Sequence, residues 1–145
     1  MAGNSNGRLV LLRNDGDAAA AAWVAAGEAT DAAGAVIDVG GYATPYAADI
    51  DGDGDADLLV GNSGGQIVWY RNDAGPAGPS WVRVGTVTLA SGTTLDVGDY
   101  ARPVLYDDDG THGDRVAGDG RVAFADAAGA IQVLERSGQV WPVGG

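Results

Sequence analysis

Apolar residues in this chain come in short runs, each with Gly, Asn, Asp or Ser within three residues of either end: Leu9-Val10-Leu11-Leu12, Leu58-Leu59-Val60, Ile67-Val68-Trp69-Tyr70, Val122-Ala123-Phe124-Ala125 and Ile131-Gln132-Val133-Leu134. Short runs with turn residues at both ends read as β-strands. A first strand is predicted from Thr44 to Ile50 and again from Arg102 to Tyr106, and a second from Leu58 to Val60 and from Val122 to Ala125. A third is predicted from Leu9 to Arg13, Ile67 to Arg71 and Ile131 to Glu135, and a fourth begins at Trp23, Trp81 or Trp141. Trp69 and Tyr70 are neighbours on a strand and must point to opposite sides, so one of them is expected in the core. The Ala-rich stretch from Asp17 to Ala22 has the composition of a helical turn. Its counterpart, Ala74-Gly75-Pro76-Ala77-Gly78-Pro79, cannot be helical, and both are read as loops.

The strands recur because the sequence recurs. Gly3-Asn4-Ser5 through Arg13-Asn14-Asp15 returns as Gly61-Asn62-Ser63 through Arg71-Asn72-Asp73, at an offset of 58. The same offset carries Trp23 to Trp81, Asp38-Val39-Gly40 to Asp96-Val97-Gly98, Tyr42-Ala43 to Tyr100-Ala101, and Pro45 to Pro103. It also carries Asp49 to Asp107 and Asp51 to Asp109. A third copy, Gly129 to Leu134, follows Gly65 to Tyr70 at an offset of 64, the six extra residues lying in the second acidic loop. The chain therefore divides into a partial unit over 1–42, a full unit over 43–100 and a degenerate unit over 101–145. Four-stranded units too small to bury their own faces are expected to stack in series, as blades do. The recurring Trp is then expected to pack between neighbours.

One stretch of the full unit carries chemistry. Asp49-Ile50-Asp51-Gly52-Asp53-Gly54-Asp55-Ala56-Asp57 alternates five carboxylates over nine residues. Like charges this close repel by about 1 kcal/mol per pair even in water. A hard divalent cation reverses the sign, because Ca²⁺ takes about six to eight oxygen ligands and a tight loop supplies them from alternate positions. Asp49, Asp51, Asp53 and Asp57 are candidates for side-chain ligands, and Asp55 for a backbone carbonyl. An EF-hand would need flanking helices and Glu at position 12 of the loop, where Val60 stands. The flanks are strands, so the site is a calcium loop between two of them. In the second acidic loop Asp107 and Asp109 keep the first two positions, making them candidates for a second, weaker site. Thr111 stands there in place of Asp53, and Arg121 in place of the closing Asp57.

Composition narrows the function. Net charge is −12, which argues against nucleic acid and anionic membranes as partners. Of 20 acidic residues 18 are Asp, a bias toward turns and metal loops rather than helix surfaces. Without Cys there is no disulfide and no thiolate site. No apolar run approaches the length of a membrane span. Met1-Ala2-Gly3-Asn4-Ser5 lacks the basic and apolar regions of a secretory leader. The single histidine, His112, sits in a Gly/Asp-rich insertion without a nucleophile pattern around it. The carboxylates alternate too densely to act as a separated acid/base pair, and no phosphate-binding Gly loop precedes a helix. An enzyme is not expected. Arg13-Asn14-Asp15 and Arg71-Asn72-Asp73, repeated at strand ends, read as polar turns, with a repeated ligand-binding rim as the alternative.

The segment from Ala43 to Gly75 resembles the FG-GAP/VCBS type of calcium-binding β-propeller repeat, found in the integrin α-subunit head and in many bacterial surface and secreted proteins. Asp49, Asp51, Asp53, Gly54, Asp57 and Gly61 occupy the matching positions. The resemblance implies an all-β fold of about two and a half propeller-type blades, open or completed by assembly. It implies a calcium-stabilised, non-catalytic binding or scaffolding module outside the cell or at its surface. The expected partner is a protein or further copies of the chain covering the open blade faces. A carbohydrate-binding lectin with pockets between blades is the alternative.

Overall fold

The computed structural model describes residues 1–51, 53–74, 78–88, 91–106, 121–125, 131–135 and 143–144. Among them are eleven strands and no helix. The first unit is a three-stranded antiparallel sheet of β1 (Ala2–Gly3), β2 (Leu9–Asn14) and β3 (Trp23–Glu28), in chain order. The second unit runs β4 (Thr44–Ala48), β5 (Asp57–Gly61), β6 (Ile67–Asn72) and β7 (Trp81–Val87), again each beside the next. The third pairs β8 (Arg102–Tyr106), β9 (Arg121–Ala125) and β10 (Ile131–Glu135). Apart from β1, these are the expected strands. Asp17 to Ala22 is a loop, its Asp17 carboxylate accepting from the amides of Ala19 and Ala20.

One strand goes elsewhere than expected. The fourth strand of the third unit was to begin at Trp141, which lies outside the described residues. The neighbouring β11 (Val143–Gly144) pairs with β7, Val143 opposite Val87, and so adds a fifth strand to the second unit. The outer edge of β7 offers unpaired backbone groups that a short strand satisfies.

The repeat extends to irregularities. A register shift falls between Val10 and Leu12 in the first unit and between Trp69 and Tyr70 in the second. Gly27 (φ 107°) and Gly85 (φ 147°) sit opposite these shifts, where the bulged strand needs a left-handed residue.

The core lies between units. Leu58, Val60, Val68, Tyr70 and Trp81 of the second unit pack against Leu9, Ala29, Ile37 and Val39 of the first, with Ala43 at the junction between them. Leu59, Ile67 and Trp69, on the other side of the same sheet, pack with Val87, Leu95, Val97 and Ala101. Trp69 and Tyr70 do point to opposite sides, yet both are buried. Alternation alone puts only one of them in the core; both faces of this sheet are covered, so both are. Trp81 packs between units as expected, but Trp23 is 65% exposed.

Hydrogen bonds join the units through two connecting segments. Val39 N–H donates to Gly7 O, Tyr42 N–H to Ser5 O and Ala43 N–H to Asn4 O. One period later Val97 donates to Gly65, Tyr100 to Ser63 and Ala101 to Asn62. The first connector is also held from its far side, where Asn62 Nδ2 donates to Val39 O at 2.9 Å and Ser63 N–H to Gly41 O at 3.0 Å. Tyr42 and Tyr100 take left-handed backbone angles, φ 48° and 60°, and their rings meet edge to face at 5.2 Å.

Candidate metal centre

The Asp loop joins the end of β4 to the start of β5. Ala48 stands opposite Asp57 across this pair, so the register brings the two ends of the loop together. Asp57, first residue of β5, is fully buried. One of its oxygens accepts from Asn72 N–H at 2.7 Å and the other from Ile50 N–H at 3.1 Å. The loop between is wound by its own carboxylates. Asp49 Oδ2 accepts from Gly54 N–H at 3.0 Å, Asp51 Oδ1 from Asp53 N–H at 3.2 Å, and Asp53 Oδ1 from Asp55 N–H at 2.9 Å. Gly54 takes φ 98°, a turn that a Cβ would strain.

This winding gathers three of the five carboxylates. One oxygen each from Asp49, Asp51 and Asp57 lies within 4.8 Å of the other two. Asp53 and Asp55 are not among the gathered carboxylates; they feed amides into the loop. Asp107 and Asp109 of the second loop, and His112, lie outside the described residues.

The trio fits Ca²⁺. Ligand oxygens about 2.3–2.6 Å from an ion stand at most about 5 Å from one another. The donor set is all carboxylate oxygen, which suits a hard cation. Asp57 makes the strongest case. Burial pushes its carboxyl above the usual carboxylate range, the amides of Asn72 and Ile50 pull it back, and the charges of Asp51 and Asp53 push it up again. A buried carboxylate facing other carboxylates is costly unless it is paired or coordinates a metal.

Asn72 belongs to the site and was not singled out in the sequence. Besides its amide bond to Asp57, its Nδ2 donates to Ala56 O at 3.1 Å and its Oδ1 accepts from Ser80 N–H at 2.9 Å. It ties the closing end of the Asp loop to the loop before β7. The recurrence of Arg-Asn-Asp was the available signal: Asn14 Oδ1 likewise accepts from Ala22 N–H at 2.9 Å.

Comparison with curated proteins and with solved structures returns no match. A family model does match, over residues 42–82, a stretch that begins at the left-handed Tyr42, contains the whole Asp loop and ends just inside β7. Residues 42–82 are thus an FG-GAP repeat, the kind of unit that folds into β-propellers.

Proposed function

We propose that the chain is a calcium-stabilised, non-catalytic binding module that works outside the cell or at its surface. FG-GAP repeats are generally non-catalytic binding modules, occur mostly in extracellular or surface proteins and often bind calcium. The observation that carries the reading is the convergence of Asp49, Asp51 and Asp57, with Asp57 fully buried. Asp49, Asp51 and Asp57 would hold the ion, joined by Asp53 and the backbone carbonyl of Asp55. The cation would neutralise mutual repulsion and lock the end of β4 to the start of β5. Asp57, through Asn72, passes that order to β6. The result is a rigid sheet from which exposed loops and connectors present a binding surface.

Thermal melting tests this. Ligand bound only to the native state adds about 2.7 kcal/mol at a hundred times Kd. Calcium is expected to raise Tm and chelation to lower it. Asp51→Asn is the informative variant, because Asp51 is exposed and its one described hydrogen bond is local. It is expected to fold and to lose most of the calcium-dependent shift, whereas Asp109→Ala is expected to lose little. A melting curve indifferent to calcium and chelator would overturn the proposal.

A carbohydrate ligand is the second reading, favoured by a cavity of about 300 Å³ lined by Met1, Pro45, Leu58, Asn72 and Trp81. Sugar titrations followed by tryptophan fluorescence test it, with a saturable change expected for the preferred glycan.

A further inference from the structure

Within this chain one unit seats on another through a defined contact. Val68, Tyr70 and Trp81 of the second unit meet Leu9, Ile37 and Val39 of the first. The first unit repeats the seating face: Val10, Leu12 and Trp23 hold the positions of Val68, Tyr70 and Trp81, 58 residues earlier. Exposure differs sharply between the two copies. Trp23 is 65% exposed where Trp81 is 8%, and Leu12 is 41% exposed where Tyr70 is 3%. A Trp and a Leu open to water at the places where the other copy of the repeat makes its core are more than scattered surface apolar residues.

We infer that the face bearing Val10, Leu12 and Trp23 docks a second copy of this chain, through that copy's sheet β8–β9–β10. The occupant follows from the contact already present. What covers Trp81 is the opposite face of a unit of the same repeat, so the surface complementary to Trp23 is one that the chain itself encodes. In β10, Ile131 and Val133 hold the sequence positions of Ile67 and Trp69. Charge points the same way. Val10, Leu12 and Trp23 carry none, and the carboxylate of Glu28, which stands opposite Val10 in the sheet, is already held by Arg8 at 3.2 Å, so the face offers a cationic partner little. Two copies at −12 each repel at long range and gain only at contact. Added salt therefore strengthens this association, whereas it weakens capture of a basic partner. The contact is head-to-tail, since two different faces meet.

Sedimentation equilibrium with calcium present, at low and high salt, tests this on the whole chain. The expected mass is a multiple of 14.5 kDa, with tighter association at high salt. Trp23→Ser is expected to keep the fold, since the side chain is exposed, and to weaken association by about thirtyfold or more, as truncation of a central interface aromatic does. Leu12→Ser is a second, independent variant with the same expected direction. Tryptophan emission is expected to shift to the blue as concentration rises in the parent chain, and much less in Trp23→Ser. A 14.5 kDa species at every concentration, association unchanged by both variants, or association weakened by salt would each overturn the inference.

Discussion

Arg13 and Asp15 form a two-pronged ion pair across one intervening residue, Nη2 to Oδ2 at 3.0 Å, and Arg71 and Asp73 repeat it at 2.9 Å. The guanidinium holds each carboxyl below its ordinary range. A depressed carboxylate contributes stability above its unfolded pKa and loses it as pH falls through the folded value. Both pairs are exposed, so the effect belongs to the titration of the group rather than to the melting curve. Arg13→Met is expected to raise the Asp15 pKa toward the ordinary carboxylate value while leaving Asp73 unchanged, as read by NMR titration of the side-chain carboxyls. The Arg-Asn-Asp triplet reads as a polar turn; its first two residues instead end strands β2 and β6, and its outer residues pair as ions. The role of its middle residue was not legible. Asn72 reaches Asp57, 15 residues away in the chain, only because β5 and β6 pair in one register. A single sequence does not state that register, so the tie between the Asp loop and the next turn was hidden. The alternation of the carboxylates was visible in the sequence, but which three of them converge is decided by the hydrogen bonds that wind the loop.

At the level of strands and loops, Gly61 ends β5 where the next unit comes closest. A Cβ there would stand 2.0 Å from the backbone oxygen of Ala101 and 2.6 Å from Thr44 Oγ1, which itself donates to that oxygen. Gly3 meets Ala43 O in the same way, at 1.8 Å. Gly61→Ala is therefore expected to cost about 1–3 kcal/mol, the range for forced overpacking. Gly64→Ala, three residues on, meets only Asn62 Oδ1 at 3.4 Å and is expected to stay within about 0.5 kcal/mol. Urea denaturation of both variants checks the contrast. Strand positions were legible because turn residues bracket every run. Burial was less so, since period-two reasoning assumes one wet face. Leu58-Leu59-Val60 and the Trp69-Tyr70 pair sit in a sheet covered on both sides, and alternation there carries no information about the core. The pairing of β11 with β7 was beyond reach for a different reason: two residues carry too little pattern to choose an edge.

Across the whole molecule, stability resides in contacts between neighbouring units. Trp81 is the largest side chain in the first of these. Trp81→Ala is expected to cost about 3–5 kcal/mol and to loosen the first unit from the second. Hydrogen exchange is expected to report it as faster exchange at Val39, Tyr42 and Ala43, whose amides bond back to the first unit. The period of 58 made the order of units legible in advance, but which faces stay uncovered depends on side-chain exposure, which repetition alone does not give. The paired connectors carry a consequence for how such a chain changes over generations. From Asn4 to Ala43 and from Asn62 to Ala101 the bonded partners lie equally far apart in sequence, as do Gly7 to Val39 and Gly65 to Val97. A tandem duplication of one full period hands each donor an acceptor at the right distance, and loss of one period removes donors and acceptors together. An insertion inside a strand of those stretches shifts donors and acceptors out of register, whereas one in a surface loop leaves them where they are. The six extra residues of the third copy fall in the acidic loop, outside both bonded stretches. Change in length is thus open to this lineage in whole units or in the loops, and closed in between.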